Sequence, residues 1–281
     1  MTDDPFGSLK DEVPPSPHEA RRILLDGARR GYVPVRNVFV QKDPGPTDRS
    51  SSLALFVTNR QERALDALLT LYALQPILTE EDPLPLGAWA NILSSRTHCS
   101  VTTASKAFRV LDDMGLITRT RRGLTTVLTP LREDGSGQAW TRPGARADDA
   151  PSGPIQDGPY FTIPHEFWND GYIDRLKLPG KAMLLIMLKE TQGKPAFEMA
   201  VDRAQRYYGI SERTAERGYL ELSKEKLLLV HIQRTASARL PAGLLREVYH
   251  RALADPFSTT RRRALQTEAA KRVRRPKKAD V

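Results

Sequence analysis

The sequence predicts a mainly α-helical chain with small β-hairpins, an α+β fold, organised as two similar modules. Apolar residues recur at helical spacing in several segments that end at Gly or Pro. Short runs rich in β-branched residues flank a tight Arg-Arg-Gly turn, as the strands of a hairpin do. The stretch that begins at Ser100 recurs at Ser211 without a gap. These three observations favour two small α+β domains in tandem.

The first module is predicted to span residues 21–131. It opens with a helix, Arg21–Arg30, and an N-terminal β-hairpin extension made of the strands Tyr32–Val40 and Leu53–Val57. Three more helices and a second hairpin follow. Their predicted bounds are Asn59–Leu74, Leu86–Leu93, a helix capped by Ser100 that runs to about Met114, and the strands Ile117–Thr120 and Thr125–Leu128.

The second module, residues 160–255, repeats this order of elements. Three helices are predicted first, and a strand and one further helix come after them. Their predicted bounds are Pro179–Glu190, Phe197–Tyr207, Ser211–Lys224, the strand Leu228–Gln233 and the helix Ala242–Ala254.

Three segments outside the modules have little to bury. Residues 1–20 contain four Pro and predict a disordered arm. Residues 132–159 contain five Gly, four Pro and five acidic residues, a composition typical of a flexible linker. Residues 256–281 predict a basic C-terminal tail.

The net charge of the 281-residue chain is +9, and it is unevenly distributed. Residues 261–281 hold nine basic and two acidic residues, so most of the excess lies in the tail. A positive bias indicates nucleic acid as the polyanionic partner. The acidic N-terminus lacks the apolar core of a signal peptide, and no apolar run reaches the ~18 residues of a membrane helix. We therefore expect a cytoplasmic, nucleoid-associated protein with no membrane partner.

The sequence gives no support to an enzymatic function. It contains no phosphate-binding loop, no dinucleotide-binding glycine motif and no H-E-x-x-H zinc motif. Cys99 is the single cysteine and excludes a disulfide framework, and His98-Cys99 is interpreted as a turn with a small buried thiol. We expect no metal and no cofactor, and no small-molecule effector is evident.

The repeat relates two stretches by a shift of 111 residues. Its pattern is S-x-x-T-A-x-[KR]-x-[FY]-x-x-L-x(4)-L-[IL]. The matched positions are Ser100/Ser211, Thr103/Thr214, Ala104/Ala215, Lys106/Arg217, Phe108/Tyr219, Leu111/Leu222, Leu116/Leu227 and Ile117/Leu228.

This pattern resembles the recognition helix and first wing strand of winged helix-turn-helix proteins of the GntR and MarR type. The segment at the end of the helix, Leu111–Ile117 with Gly115, closely fits the pattern of that family. The second copy has Lys226 in place of the glycine. The resemblance covers about half of the chain, over residues 60–131 and 179–240. It implies two winged helix-turn-helix domains in tandem, and tandem pairs are also similar to plasmid replication initiators.

Helical geometry assigns candidate DNA contacts within each repeat. At 100° per residue, Ala104, Ala107, Phe108 and Leu111 share one face, and polar residues lie opposite. In the first module the candidate base-reading residues are Thr102, Thr103, Ser105, Lys106 and Arg109. In the second module they are Arg213, Thr214, Arg217 and Lys224. Candidate phosphate contacts are Ser100 and Ser211 at the helix N-termini, Arg119, Arg121 and Arg122 in the first wing, and Arg234 and Arg239 in the second.

Double-stranded DNA is thus the expected partner, bound with sequence preference, and a transcription regulator is the first interpretation. A replication initiator of a plasmid or other mobile element is the alternative. A third interpretation is a scaffold that uses winged helices, the second in particular, for protein contact or for formation of a homodimer.

Overall fold

The computed structural model describes residues 13–42, 51–79, 81–123, 125–144, 159–236, 238–239, 241 and 243–274. The fold is mixed α/β, with 47% helix and 18% strand in small antiparallel sheets. The prediction of an α+β chain is confirmed at this level. Residues 1–12 of the predicted arm, 145–158 of the predicted linker and 275–281 of the predicted tail lie outside the described residues.

Within the described residues, the first half of the chain forms eight α-helices and strands, besides a 3₁₀ turn at Asn37–Phe39. They are α1 (Pro17–Asp26), β1 (Tyr32–Arg36), α2 (Ser52–Thr58), α3 (Glu62–Leu74), α4 (Leu86–Ile92), α5 (Val101–Asp113), β2 (Ile117–Arg122) and β3 (Thr125–Pro130).

In the part of the second half that the structure describes there are ten α-helices and strands, besides a 3₁₀ turn at Val201–Arg203. They are β4 (Tyr160–Pro164), α6 (Glu166–Asn169), α7 (Tyr172–Arg175), α8 (Leu178–Glu190), β5 (Phe197–Glu198), α9 (Ala204–Tyr208), α10 (Glu212–Lys224), β6 (Leu228–Thr235), β7 (Arg246–Leu253) and α11 (Thr259–Arg274).

The predicted N-terminal β-hairpin extension is wrong. Its second strand, Leu53–Val57, is instead part of helix α2, which begins where the Ser51 side chain accepts a hydrogen bond from the Ala54 N–H. The apolar run buries Leu53 and Phe56 on one helical face. Strand β1 pairs with β4 of the second half in antiparallel register, Tyr32 opposite Pro164.

Two predicted helices of the second half are also wrong. Residues 246–253 form β7, because pairing with β6 from Leu228↔Leu253 to Thr235↔Arg246 satisfies their backbone groups. The predicted helix Phe197–Tyr207 divides into β5, which pairs with the other edge of β7, and the short helix α9. The resulting sheet has the strand order β5-β7-β6.

The start of the predicted linker is packed, not flexible. Glu133 is buried and pairs with the buried Arg36 at 2.8 Å. The Trp140 ring stacks on Tyr72, with ring centroids 5.7 Å apart. Residues 132–144 therefore cover α3 and β1, because aromatic stacking and a buried ion pair offset their low apolar content.

The predicted basic tail contains an ordered helix. The Arg262 side chain in α11 is buried and donates to the carbonyl oxygens of Leu188 and Thr191 at 2.9 and 3.0 Å. Leu265 and Ala269 are buried on the same helix. At the other end of the chain, α1 begins within the predicted arm, where Ser16 and Glu19 form a capping box.

Buried contacts join the two halves. Lys181 in α8 is 1% exposed, and its Nζ lies 2.7 Å from Asp66 Oδ1 and 2.8 Å from Glu62 Oε1 in α3. Trp168 Nε1 donates to Thr70 Oγ1 at 3.2 Å. One cluster of buried apolar residues runs through both halves. The ion pairs, the β1–β4 ladder and this core fix the halves relative to each other.

Candidate nucleic-acid interface

Helix α5 carries the candidate residues of the first half. The Ser100 side chain caps it by accepting a hydrogen bond from the Thr103 N–H at 3.1 Å. The predicted apolar face is buried, and Phe108 packs edge-on against Trp89 of α4, with ring centroids 5.1 Å apart. The opposite side chains are exposed, apart from a half-buried Ser105: Thr102, Thr103, Lys106 and Arg109.

Helix α10 reproduces this construction in the second half. Ser211 caps it by accepting from the Thr214 N–H at 3.3 Å, and Ala215, Tyr219 and Leu222 are buried. In both helices the capping hydroxyl also lies 3.0 Å or less from the following Thr Oγ1. The exposed face of α10 holds Arg213, Arg217, Leu220 and Lys224, and Thr214 is half-buried. The repeat in the sequence is therefore a repeat of local structure.

The hairpin β2–β3 presents its arginines near the turn. Arg121 and Arg122 are exposed, and Arg121 Nε donates to the Gly123 carbonyl oxygen at 3.2 Å. Arg119 is half-buried, and its Nε is buried without a hydrogen-bond partner among the described residues.

The hairpin β6–β7 differs in length and surface. Arg234 is exposed and lies 3.4 Å from Glu247, so its charge is partly compensated, and Arg239 is exposed in the loop between the strands. Strand β6 leaves apolar side chains in solvent on both faces, including Leu229, Val230 and Ile232. With four arginines and Glu247 it has the same net charge as the first hairpin with its three arginines, so its apolar surface is what distinguishes it.

Two adjacent clefts lie between the turn that precedes α5 and the start of α10. The first cleft has a volume of about 310 Å³ and lies between α3, the turn before α5 and the residues before α8. The second cleft, of about 770 Å³, contains the first two turns of α10 and the junction of α2 and α3. Glu62 and Lys177 line both clefts. The turn before α5 and the N-terminal end of α10 therefore flank the same pair of residues.

The second cleft has an excess of positive charge. Arg60, Lys177, Arg213 and Arg217 line it, together with two carboxylates. Both carboxylates are already engaged: Glu62 accepts from Lys181, and Glu221 accepts from the Lys177 backbone N–H at 2.8 Å. The cleft is thus suited to a polyanion.

Four cationic residues at the clefts were absent from the sequence prediction. They are Arg60, which follows α2 with a positive φ of 54°, Arg63, Arg96 and Lys177. No local pattern singles them out, since they lie outside the repeat. The contacts of α8 with α2 and α3 bring Arg60 and Lys177 beside α10.

The described residues contain no group of three or more His, Cys, Asp or Glu side chains placed to hold a metal ion. Burial raises the pKa of the Cys99 thiol, which keeps it protonated. In the described part of the chain, every helix is too short or too polar to cross a membrane.

The chain has no match among protein-family models, curated proteins or solved structures.

Proposed function

We propose that the protein binds double-stranded DNA with sequence preference through two winged helix-turn-helix units in one chain, and that it acts as a transcription regulator. The observation that carries the proposal is the pair of matched helices, α5 and α10, each with a serine cap, one buried face and one exposed polar face. Each helix is preceded by a short helix and followed by a hairpin. This order is typical of units that place one helix in the major groove.

Each candidate helix combines phosphate attraction with base reading. The first backbone N–H groups of a helix have no partner within it. The serine caps already occupy those of Thr103 and Thr214, so the N–H groups of the two residues directly after Ser100 and Ser211 are the ones available to phosphate oxygens. Lys106, Arg109, Arg213 and Arg217 are long exposed donors suited to base edges, with the guanine edge as the preferred partner of Arg and Lys. Thr102 adds a short hydroxyl on the α5 face.

The two units differ, so the proposed site is asymmetric. The exposed charges of α5 are two cations and two acids, Asp112 and Asp113, whereas α10 exposes three cations and two acids, Glu212 and Glu216. Buried contacts hold the units at a fixed spacing. One chain therefore recognises two unlike half-sites, or a direct repeat, in preference to a perfect palindrome.

The direct test is selection of genomic fragments by the purified full-length protein at about 150 mM salt, where specific binders remain bound. We expect a shared asymmetric motif among the retained fragments. Lys106→Ala with Arg109→Ala should abolish enrichment of the half of that motif that α5 reads and leave the other half. The matched control, Arg22→Ala in α1 with Arg29→Ala just after it, changes two exposed arginines and should leave both halves intact.

The positions of the retained fragments separate two biological roles. Sites scattered over promoters support a regulator. Clustered, iterated sites beside an AT-rich segment would instead indicate a replication initiator. Retention of no fragment contradicts DNA binding and favours a scaffold that binds proteins.

A further inference from the structure

A small cavity lies at the end of α3 that is remote from the two clefts. Its volume is about 110 Å³, and it is bounded by the segment after α1, by β1, by the end of α3 and by the packed segment 140–142. The clefts adjoin Glu62 at the start of α3, whereas Tyr72 at its end lines the cavity. With a rise of 1.5 Å per residue, about 15 Å of helix separates these residues.

Two arginines, Arg30 and Arg142, line this cavity without a compensating charge. None of its lining residues is acidic. Both side chains are half-buried, and within the described part of the chain neither forms a hydrogen bond or an ion pair. Burial, with the nearby Arg30 as a second cause, lowers the pKa of Arg142 to about 10. Two like charges in a partly desolvated place are unfavourable unless an anion joins them.

Other buried arginines of this chain show the contrast. Three of them are about 2% exposed, and each contacts a carboxylate or main-chain carbonyl oxygens: Arg21, Arg36 and Arg262. The fold therefore supplies partners where arginines serve its own stability. Among the residues that the structure describes, Arg30 and Arg142 have no such partner.

The remaining walls are aromatic and neutral. Tyr72 and Trp140 stack with an interplanar angle of 17°, and Trp140 Nε1 donates to Glu133 at 3.1 Å, which fixes the ring. Burial lowers the pKa of His165 to about 4, so its imidazole is uncharged at neutral pH. The cavity thus has a formal charge of +2 and a rigid wall.

We infer that this cavity binds a phosphate group, as inorganic phosphate or as the phosphate of a small metabolite, held by Arg30 and Arg142. A guanidinium donates two parallel hydrogen bonds to phosphate oxygens, and two of them balance a dianion. A cavity of about 150 Å³ accommodates benzene, so this one, of about 110 Å³, has room for a phosphate group. The inference does not depend on the proposed function.

The site also spans the joint between the halves. His165 follows β4, and its backbone N–H donates to the Gly31 carbonyl oxygen next to Arg30. Trp140 and Arg142 belong to the segment that covers α3. A bound phosphate would hold this segment against the region after α1, and the folded protein would gain stability by mass action.

The test is titration of the full-length protein with sodium phosphate by calorimetry, in a chloride buffer of constant ionic strength. We expect saturable binding of one phosphate per chain. Arg30→Gln and Arg142→Gln should each weaken it at least tenfold. Arg29→Gln, an exposed neighbour on the same segment, should leave it unchanged.

Thermal unfolding gives a second readout. Without phosphate, Arg142→Gln should melt at or above the wild-type temperature, because the like-charge repulsion is gone. Addition of phosphate should raise the melting temperature of the wild type and of Arg29→Gln, and should leave that of Arg142→Gln unchanged. A lower melting temperature of Arg142→Gln in chloride would overturn the inference, since the arginine would then be structural.

Competition identifies the source of the phosphate. Tighter binding of glycerol 3-phosphate than of inorganic phosphate supports a metabolite, and the reverse order supports the free ion. Absence of saturable heat up to 20-fold above physiological phosphate, or equal affinity in Arg142→Gln, contradicts the site. Displacement of phosphate by a DNA duplex contradicts it as well, because the cavity would then be part of the DNA interface.

Discussion

The two halves of this protein share a scaffold and differ on its surface. Helices α5 and α10 have the same serine cap, the same small buried alanine and the same buried leucine. Their outward faces and hairpins are unlike: the first hairpin has arginines at its turn, and the second exposes apolar residues along β6. The two copies of the repeat share their buried residues and differ in their exposed ones. They are therefore suited to present two different binding surfaces on the same local fold.

The largest expected effect comes from breaking the joint between the halves. Lys181→Ala leaves Asp66 buried without its cation, and burial already raises the pKa of that carboxyl. We expect a loss of about 3–5 kcal/mol in the free energy of unfolding, measured by urea denaturation. Lys177→Ala, at an exposed neighbouring lysine, should cost under about 0.5 kcal/mol. Equal losses in the two variants would show that Lys181 does not hold the joint.

The joint is also sensitive to pH through His165. Burial lowers its pKa from 6.5 to about 4 in the folded protein. Between these values the unfolded chain takes up a proton that the folded chain does not, so stability falls as pH falls from about 6.5 to 4. The loss should be about 3 kcal/mol.

His165→Gln should remove this part of the acid destabilisation, as measured by urea unfolding at a series of pH values. The rest of the decline belongs to carboxylates and should persist in the variant. An identical decline in variant and wild type would contradict the neutral, buried imidazole.

A third comparison concerns the helix packing within each half. Gly218 in α10 corresponds to Ala107 in α5. A Cβ at Gly218 would lie 2.5 Å from the Pro179 carbonyl oxygen and would also clash with Met183 in α8. Gly218→Ala should therefore destabilise by about 1–3 kcal/mol although alanine favours helices. Ala107→Gly should cost about 1–2 kcal/mol through helix propensity and the loss of a buried methyl group, with no clash.

Thermal unfolding of both variants distinguishes the two causes. A stabilised Gly218→Ala protein would mean that α8 and α10 are not in close contact.

The smallest effect concerns the residue that ends each helix. Gly115 and Lys226 occupy matched positions, and both have positive φ, 66° and 58°. This conformation is strained for lysine and free for glycine. Lys226→Gly should raise the free energy of unfolding by about 1 kcal/mol, whereas Gly115→Lys should lower it, since a Cβ there lies 2.9 Å from the Gly135 carbonyl oxygen. A destabilised Lys226→Gly protein would contradict this pairing of the two positions.

Local signals predicted some elements well. Both serine-capped helices lie within one residue of their predicted bounds, because cap, apolar period and stop all come from neighbouring residues. The first hairpin was predicted for the same reason.

Non-local contacts account for the errors. Strand β1 pairs with a segment more than 120 residues away, and β7 is extended because β6 and β5 lie on either side of it. Neither partner is visible from the local pattern. The clefts were missed likewise, since the contacts of α8 with α2 and α3 bring Arg60 and Lys177 together.

The most direct test of the account uses the selected DNA site itself. The affinity for every single-base change of that site would be measured for the wild-type protein and for two double variants of it. These are Lys106→Ala/Arg109→Ala and Arg213→Ala/Arg217→Ala. We predict that each removes discrimination at one half of the site only, by about 1–3 kcal/mol per lost base contact. Loss of discrimination at both halves in either variant, or at neither, would contradict two distinct readers in one chain.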